Sequence, residues 1–231
     1  MKIEEIQSLL AKPAIAFETG GFRPTNENDE SWIGRVFLFG PNEEIPKDKN
    51  GNDLLPLAQL YLSSLPFCVP CLQDIELITV FIAEDLPEEF AKMGDGWLIR
   101  EYRTIKDLVR KDLKSPDSYI KPFPLKPILI EKDYPLWDGG GVPSDIEDEI
   151  LALEENGEIE SYYDIVTHSY LHKIGGYPSF CQSGVDFGND FEFAFQISSD
   201  EKAKLNIVDN GSLMFAKNSN SGQWAIYYDF Y

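Results

Sequence analysis

The chain has 231 residues, of which 43% are hydrophobic and 13% aromatic, a composition that excludes intrinsic disorder. Its 40 acidic residues against 20 basic ones give a formal net charge of −20, which repels nucleic acids and anionic lipid surfaces. We therefore expect neither a nucleic-acid partner nor a membrane partner. The same charge either keeps the protein soluble or steers a basic protein partner onto its surface.

The N-terminus and the cysteines indicate a reduced, cytoplasmic setting. The first ten residues (MKIEEIQSLL) carry acids where a secretory signal needs a basic start and an uninterrupted apolar centre. No apolar run approaches the roughly 18 residues that a membrane helix needs. Three cysteines are too few for a disulfide framework.

Hydrophobic periodicity predicts a helix followed by strands in the first half of the chain. Apolar residues at helical spacing predict a short helix over residues 3–10, which Lys12–Pro13 ends. Residues 20–30 are polar and rich in Gly, Asn and Asp, so they are interpreted as a loop. The segments predicted as strands are 36–39, 55–62 and 75–83, and a helical turn is predicted over 87–93.

The middle of the chain is predicted to hold a helix and a connector. The apolar spacing after Thr104 predicts a helix to about Asp112, ended by Ser115–Pro116. Prolines recur in residues 121–127 and cannot donate ladder hydrogen bonds, so this segment is interpreted as an extended connector or an edge strand. With the Gly-rich residues 138–141, it marks the seam between two halves.

A second helix is predicted over residues 144–157. Ser144 and Glu147 have the spacing of a capping box, and apolar residues recur behind them at i, i+4 and i+7. The opposite face is acidic, which is typical of a solvated surface but is also suited to docking a basic partner. The acids on this face are Glu147, Asp148, Glu149, Glu154 and Glu155.

The final third is predicted to form antiparallel strands joined by hairpins. Residues 191–198 alternate with a period of two, which is typical of a sheet with one buried face. Further strands are predicted over 205–208, 213–216 and 224–230, with a turn at 209–211. The whole chain is therefore predicted to be one α+β domain, mainly antiparallel sheet with a few peripheral helices.

A faint internal repeat predicts that the domain arose by duplication. Ile33–Gly34 precedes the run Ala58-Gln59-Leu60, and Ile174–Gly175 precedes Phe195-Gln196-Ile197. The two copies are placed at approximately residues 31–83 and 172–216 of a single domain that spans residues 1–231.

Gln59 and Gln196 lie centrally in apolar strands at matching positions of this repeat. An unpaired buried amide would cost about 1–3 kcal/mol, so each is expected to be hydrogen-bonded or exposed. Two roles remain open. The glutamines either fix the opposing glycine turn or contact a ligand in a cleft between the halves.

The turn around Gly175, Gly176 and Tyr177 is the other candidate binding element. Backbone N–H groups in such a turn can hold an anion. Phosphate-binding loops, however, normally lead into a helix and keep a Lys or Ser/Thr beside it, which favours a structural turn. His172, which precedes this turn, is expected either to bond to backbone or to contact the ligand.

Four residues have the composition of a zinc site. Cys68 and Cys71 form a C-x-x-C pair, and His168 and His172 are four residues apart. Nearly a hundred residues separate the pairs, and the C-x-x-C lacks the strand-then-helix context of a redox motif. The sequence therefore predicts no metal and no other cofactor, and leaves a metal or thiol site as the minor alternative.

The segment 172–178 (HKIGGYP), followed by the strand around Gln196 and by the turn 209–211, resembles the YwqG-like family of bacterial proteins. The resemblance implies a compact α+β domain built by duplication, with no assigned activity. Related proteins occur in the setting of bacterial toxin systems, which implies an immunity role. The chain departs from the family at Arg35, where a second glycine is usual.

Three functions follow as hypotheses. The first is a non-catalytic binding protein for a basic partner, such as a toxin that it neutralises. The second is a small-ligand-binding protein that uses the cleft between the halves. The third is a metal or thiol enzyme, which the absence of hydrolase, zinc-protease and nucleotide-binding fingerprints makes the weakest.

Overall fold

One antiparallel sheet of ten strands dominates the computed structural model, which describes residues 1–113, 115 and 118–230. The helices are α1 (Ile3–Leu10) and α2 (Ser144–Glu155), and the strands are β1 (Lys12–Thr19), β2 (Ser31–Ile33), β3 (Leu38–Phe39), β4 (Leu55–Tyr61), β5 (Leu77–Ile82), β6 (Trp97–Tyr102), β7 (Val109–Arg110), β8 (Phe123–Asp133), β9 (Lys173–Gly175), β10 (Phe191–Ser198), β11 (Ser212–Asn218) and β12 (Trp224–Asp229). The predicted α+β class is wrong, because only 13% of the chain is helical.

The strand order in the large sheet is β12-β11-β10-β9-β1-β8-β2-β4-β5-β6. Strands β2, β4, β5 and β6 form a first run towards one end of the sheet, and β9, β10, β11 and β12 form a second run towards the other end. Strands β1 and β8 lie between the two runs. Strand β1 precedes the first run in the sequence but pairs with β9 of the second run. Strand β8 precedes the second run but pairs with β2 of the first. This exchange joins both runs into one sheet.

The sheet curls so that its two ends approach each other. The Trp224 indole N–H of β12 donates to Glu101 Oε1 of β6 at 2.6 Å, and the Lys217 ammonium lies 2.7 Å from the same oxygen. Aromatic side chains from both ends meet inside, where the Trp97 and Phe215 ring centroids are 6.0 Å apart. One hydrophobic core is therefore shared by both ends of the sheet.

Helices α1 and α2 pack against each other and bury a second, smaller apolar cluster. The helices predicted over residues 3–10 and 144–157 are confirmed in position. The predicted capping box at Ser144 is wrong, since Ser144 is the first helical residue and Pro143 occupies the N-cap position. The helix ends where Gly157 adopts a φ of +71° and the Glu158 N–H donates back to Leu153 O. Neither helix in the described ranges has the length and apolarity that crossing a membrane requires.

Two helical predictions in the first half are wrong. Residues 87–93 form turns without a helix. The segment predicted as a helix over 104–112 forms turns and then β7, which pairs with β3 in a small two-stranded sheet. Its apolar residues Ile105 and Leu108 pack on a cluster around Trp32, so their spacing follows this packing rather than a helix. The proposed end of that helix at Pro116 lies outside the described residues.

The segment interpreted as a connector or edge strand belongs to a central strand instead. Its prolines fit there because no ladder hydrogen bond needs an N–H at their positions. Pro124 lies one residue beyond the last pair of β8 with β1, which is Leu125 with Thr19, and its C=O accepts from Gly20 N–H. Pro127 lies beyond the three residues of β8 that pair with β2. Strand β6, which no pattern predicted, completes the first run.

Candidate functional site

A fully buried lysine lies at the centre of a cluster of polar side chains. The Lys173 ammonium on β9 is 2.9 Å from Asp133 Oδ2 at the end of β8, and both side chains are 0% exposed. The ammonium also donates to Ser169 O at 2.6 Å. Burial lowers the pKa of Lys173 to about 8, against the opposing effect of Asp133. At neutral pH the cluster is therefore a buried ion pair.

The glycine turn binds the carboxylate of Asp133. The Tyr177 N–H donates to Asp133 Oδ2 at 2.9 Å, and the Ser169 N–H donates to Oδ1 at 2.8 Å. Gly176 has a φ of +67°, and a Cβ at this position would overlap Asp133 Oδ2. The turn thus holds an anion, and that anion is the Asp133 side chain of the protein itself. Tyr177 is buried, and its hydroxyl donates to Leu10 O at 2.8 Å.

His168 and Ser179 complete the cluster. His168 Nδ1 is 2.6 Å from Tyr134 O, which can only accept, so Nδ1 carries the proton and Nε2 accepts from Ser179 Oγ at 2.7 Å. A serine bonded to a histidine is the arrangement of an activated nucleophile. Ser179 is only 1% exposed, however, so a substrate has no access to its hydroxyl. The geometry favours a structural role.

Acidification is expected to weaken the fold through His168. Burial, together with the charge of Lys173, lowers the pKa of His168 to about 4, whereas an unfolded histidine titrates near 6.5. Between these pH values the unfolded chain binds more protons, so the free energy of unfolding falls as the pH drops from about 6.5 to about 4, by up to about 3 kcal/mol from this residue. Urea unfolding across this range measures the slope.

His168→Asn is the control for that slope. The variant should be less stable at pH 7, but its free energy of unfolding should fall less steeply with acid because the histidine contribution is gone. Equal slopes in both proteins would show that His168 does not titrate as described.

Gln59 and Gln196 are both 0% exposed and bond to backbone in corresponding ways. Gln59 Oε1 accepts from the N–H groups of Phe37 and Leu38 at 3.1 Å each, and Nε2 donates to Glu30 O at 3.2 Å. Gln196 Oε1 accepts from Ser179 N–H at 3.0 Å, and Nε2 donates to Leu171 O at 3.0 Å. Neither amide lines a described cleft, so the geometry favours the fixing role over ligand contact.

Gln59→Leu and Gln196→Leu should each lower the free energy of unfolding by about 1–3 kcal/mol, because each change leaves buried backbone groups without a partner. Gln73→Leu, at an exposed position, is the control and should change stability by less than about 0.5 kcal/mol. Chemical denaturation measures all three. A Gln59 or Gln196 variant as stable as the control would argue against the fixing role.

His172 lies apart from the lysine cluster and is 3% exposed. Its Nδ1 accepts from Ser198 N–H at 3.0 Å, so Nε2 donates to Asp200 Oδ2 at 3.2 Å. Burial raises the pKa of Asp200, but hydrogen bonds from His172, Thr19 and the Ala203 N–H hold it below its usual range. These residues border an open cleft of about 720 Å³ beside β1. Of the predicted ligand residues, His172 therefore lines this cleft.

The thiols do not form a reactive pair. Cys68 is exposed, whereas Cys71 is buried within a single 3₁₀ turn over Pro70–Leu72. Burial raises the pKa of both, that of Cys71 to about 11, so little thiolate forms at neutral pH. The two histidines bond elsewhere, and within the described ranges no three His, Cys, Asp or Glu residues gather closely enough to hold a metal ion.

The acids of α2 form a surface away from these groups. Asp148 and Glu155 are exposed, whereas Glu147, Glu149 and Glu154 are half-buried. The Glu149 carboxylate accepts from the N-terminal amine of Met1. The helix thus presents a partly engaged acidic face to solvent.

Sequence reasoning missed Asp133 and Lys173, the most buried charges of the site. The signal for Lys173 was a cation inside an otherwise apolar segment before the glycine turn. Nothing local marked Asp133, because its partner is 40 residues away in the sequence.

Comparison with known proteins identifies the family only. No curated protein matches the chain. Residues 31–220 match the family described as a domain of unknown function, DUF1963. This range begins at β2 and includes β8, the glycine turn and all of β11, so it contains the lysine cluster. The chain therefore belongs to the DUF1963 family of domains of unknown function.

Proposed function

We propose that this protein is a non-catalytic binding protein that captures a basic protein partner on its acidic surface. One observation supports this best. The groups that could perform chemistry, such as Ser179, His168 and Lys173, are buried and bonded to one another, whereas the surplus carboxylates face solvent. Complementary charge speeds association with a basic protein.

A groove between residues 47–53 and 83–96 concentrates this charge. It measures about 760 Å³ and is lined by six acids and two lysines. The lysines pair with acids of the groove itself, Lys47 with Asp53 at 2.5 Å and Lys49 with Asp95 at 3.9 Å. Three further groove carboxylates have no ion pair in the described chain; they are Glu84, Asp85 and Glu88.

The experiment is affinity capture from the native cell, followed by measurement of the identified partner's affinity at several salt concentrations. We expect a basic partner whose affinity falls as salt rises. The groove variant Glu84→Gln/Asp85→Asn/Glu88→Gln and the α2 variant Asp148→Asn/Glu154→Gln/Glu155→Gln each remove three charges, so each is the matched control of the other.

The outcome of the two triple variants assigns the face. A loss confined to the α2 variant supports docking on the predicted acidic stripe, and a loss confined to the groove variant supports the groove. A partner without basic surface, or affinity indifferent to salt, would contradict the proposal.

The proposal also includes an immunity role and a cytoplasmic setting. The YwqG-like resemblance supports an immunity role, in which the basic partner is a toxin. A reduced, cytoplasmic setting is supported by Cys68 and Cys71, which form no disulfide. Co-expression with the captured partner tests the immunity role, since a neutralising protein should restore growth that the partner alone inhibits.

Duplication of an ancestral unit is also proposed, and the sheet supports it in detail. Gly34, which directly follows β2, and Gly175, the last residue of β9, have φ values of +68° and +73°. Corresponding strands carry a β-bulge just before Gln59 and Gln196, between Pro56 and Ala58 and between Phe193 and Phe195. Because β1 and β8 exchange positions, equivalent strands of the two copies come in the same order when the sheet is followed inward from either end.

Small-ligand binding is the second candidate, supported by the cleft at His172. The cleft has Lys126 and Lys202 on its border together with Glu18 and Glu201, so a zwitterionic metabolite fits its charges. We would screen a library of metabolites by thermal unfolding. A metabolite that raises the melting temperature of the protein, but not that of His172→Ala, would support this function.

A further inference from the structure

Strand β8 has an unpaired stretch in the middle of the large sheet. Strand β2 pairs with β8 only over residues 123–125, whereas β1 pairs with it as far as Asp133. From Lys126 onward β8 therefore has a paired strand on one edge only. Ile128 and Leu129 in this stretch are 37% and 46% exposed, which is unusual for apolar residues of a central strand.

The register shows which backbone groups face the open edge. The Phe17 N–H donates to His172 O, so odd-numbered residues of β1 bond to β9 and even-numbered ones bond to β8. Ala16 faces Ile128, and these two residues exchange their hydrogen bonds. The neighbouring Leu129 directs its N–H and C=O away from β1, where no described group bonds to them.

We infer that this open edge, residues 126–130 of β8, receives an extended segment of the basic partner as an added strand. Unpaired main-chain groups on an exposed edge are the template for such pairing. Leu129 would form two hydrogen bonds and the Pro127 C=O a third. Ile128 and Leu129 point to opposite faces of the strand, so each would contact an apolar side chain of the added segment.

The net negative charge of the protein favours a basic segment as the added strand at this edge. The inference rests on the proposed function for the sign of the partner, since a second copy of the chain carries the same −20 charge and is repelled. At the Lys126–Pro127 end the edge borders a cleft of about 260 Å³, whose charged lining residues are Asp29, Glu30 and Lys126. Asp29 is exposed and has no cation within ion-pair distance in the described chain. A lysine or arginine of the added segment would pair with it.

The probe is a synthetic peptide of alternating valine and threonine with two lysines at each end. Fluorescence anisotropy should detect its binding, and hydrogen exchange should show new protection of the Leu129 amide. Leu129→Pro removes the outward N–H without removing a bond to β1, and should weaken binding about tenfold or more. Leu129→Thr keeps the N–H and is the matched control.

A peptide methylated at alternate backbone nitrogens tests the complementary bonds, which the peptide N–H groups would donate to the C=O groups of Leu129 and Pro127, without any change to the protein. The inference therefore stays testable if Leu129→Pro does not fold. Binding that survives both methylation and Leu129→Pro, or no binding of the peptide, would overturn strand addition. A dimer of the free protein that Leu129→Pro dissociates would also overturn it, because the edge would then belong to a second copy.

Failure of this inference is distinct from failure of the proposed function. Salt-dependent capture of a basic partner that is insensitive to Leu129→Pro would reject strand addition and leave the acidic-surface proposal standing. Tight binding of the peptide with glutamates in place of the lysines would instead reject the charge argument.

Discussion

Asp133→Ala is expected to lower the free energy of unfolding by about 3–5 kcal/mol, because it leaves the ammonium of Lys173 buried without a counter-charge. It also removes the acceptor of the Ser169 and Tyr177 N–H groups. Urea denaturation at pH 7 measures the loss. The stability of the variant should rise with pH above 7, because its buried lysine loses a proton that the unfolded chain still holds.

Two further variants isolate the ion pair in this prediction. Asp133→Ala/Lys173→Met should recover part of the loss, since no uncompensated charge remains. Asp138→Ala, at an exposed position five residues away, should change stability by less than about 0.5 kcal/mol. If Asp133→Ala were as stable as Asp138→Ala, the cluster would not stabilise the fold in the way described.

Gly176→Ala is expected to be nearly as damaging. A side chain at its φ of +67° costs about 1–2 kcal/mol wherever it occurs, and here the new Cβ would also overlap Asp133 Oδ2 and contact Ala14 Cβ at 2.9 Å. The carboxylate must move and its bonds to Lys173 and Tyr177 weaken. We expect a total loss of about 3–5 kcal/mol in chemical denaturation, since the buried pair is disrupted.

Gly140→Ala is a closely matched control, because Gly140 has a φ of +72° and open space where a Cβ would lie. It should show the conformational cost alone. Equal losses in the two variants would mean that the turn at Gly176 tolerates a methyl group, and that its contact with Asp133 is not specific.

Local patterns predicted the elements whose environment is set by neighbouring residues. The alternation over 191–198 predicted β10, and helical spacing predicted α1 and α2. The helix predicted after Thr104 failed because Ile105 and Leu108 pack on residues distant in the sequence. The apolar period of a short segment does not distinguish that packing from a helix.

The site was predictable only in part for the same reason. Gln59 and Gln196 were found because an amide in an apolar strand demands a partner. Asp133 was missed, since its importance arises from the exchange of β1 and β8, which brings β9 beside β1. The prolines of 121–127 correctly indicated missing ladder bonds, but not that the strand would be central.

The exchanged strands also have a consequence during synthesis of the chain. Strand β1 pairs with strands β8 and β9, which both lie in later parts of the sequence. The nascent polypeptide thus emerges from the ribosome with an apolar strand bare on both sides. Translation that halts before residue 123 would release a fragment in which β1 has neither partner strand, and such a fragment would be exposed to chaperones and proteases.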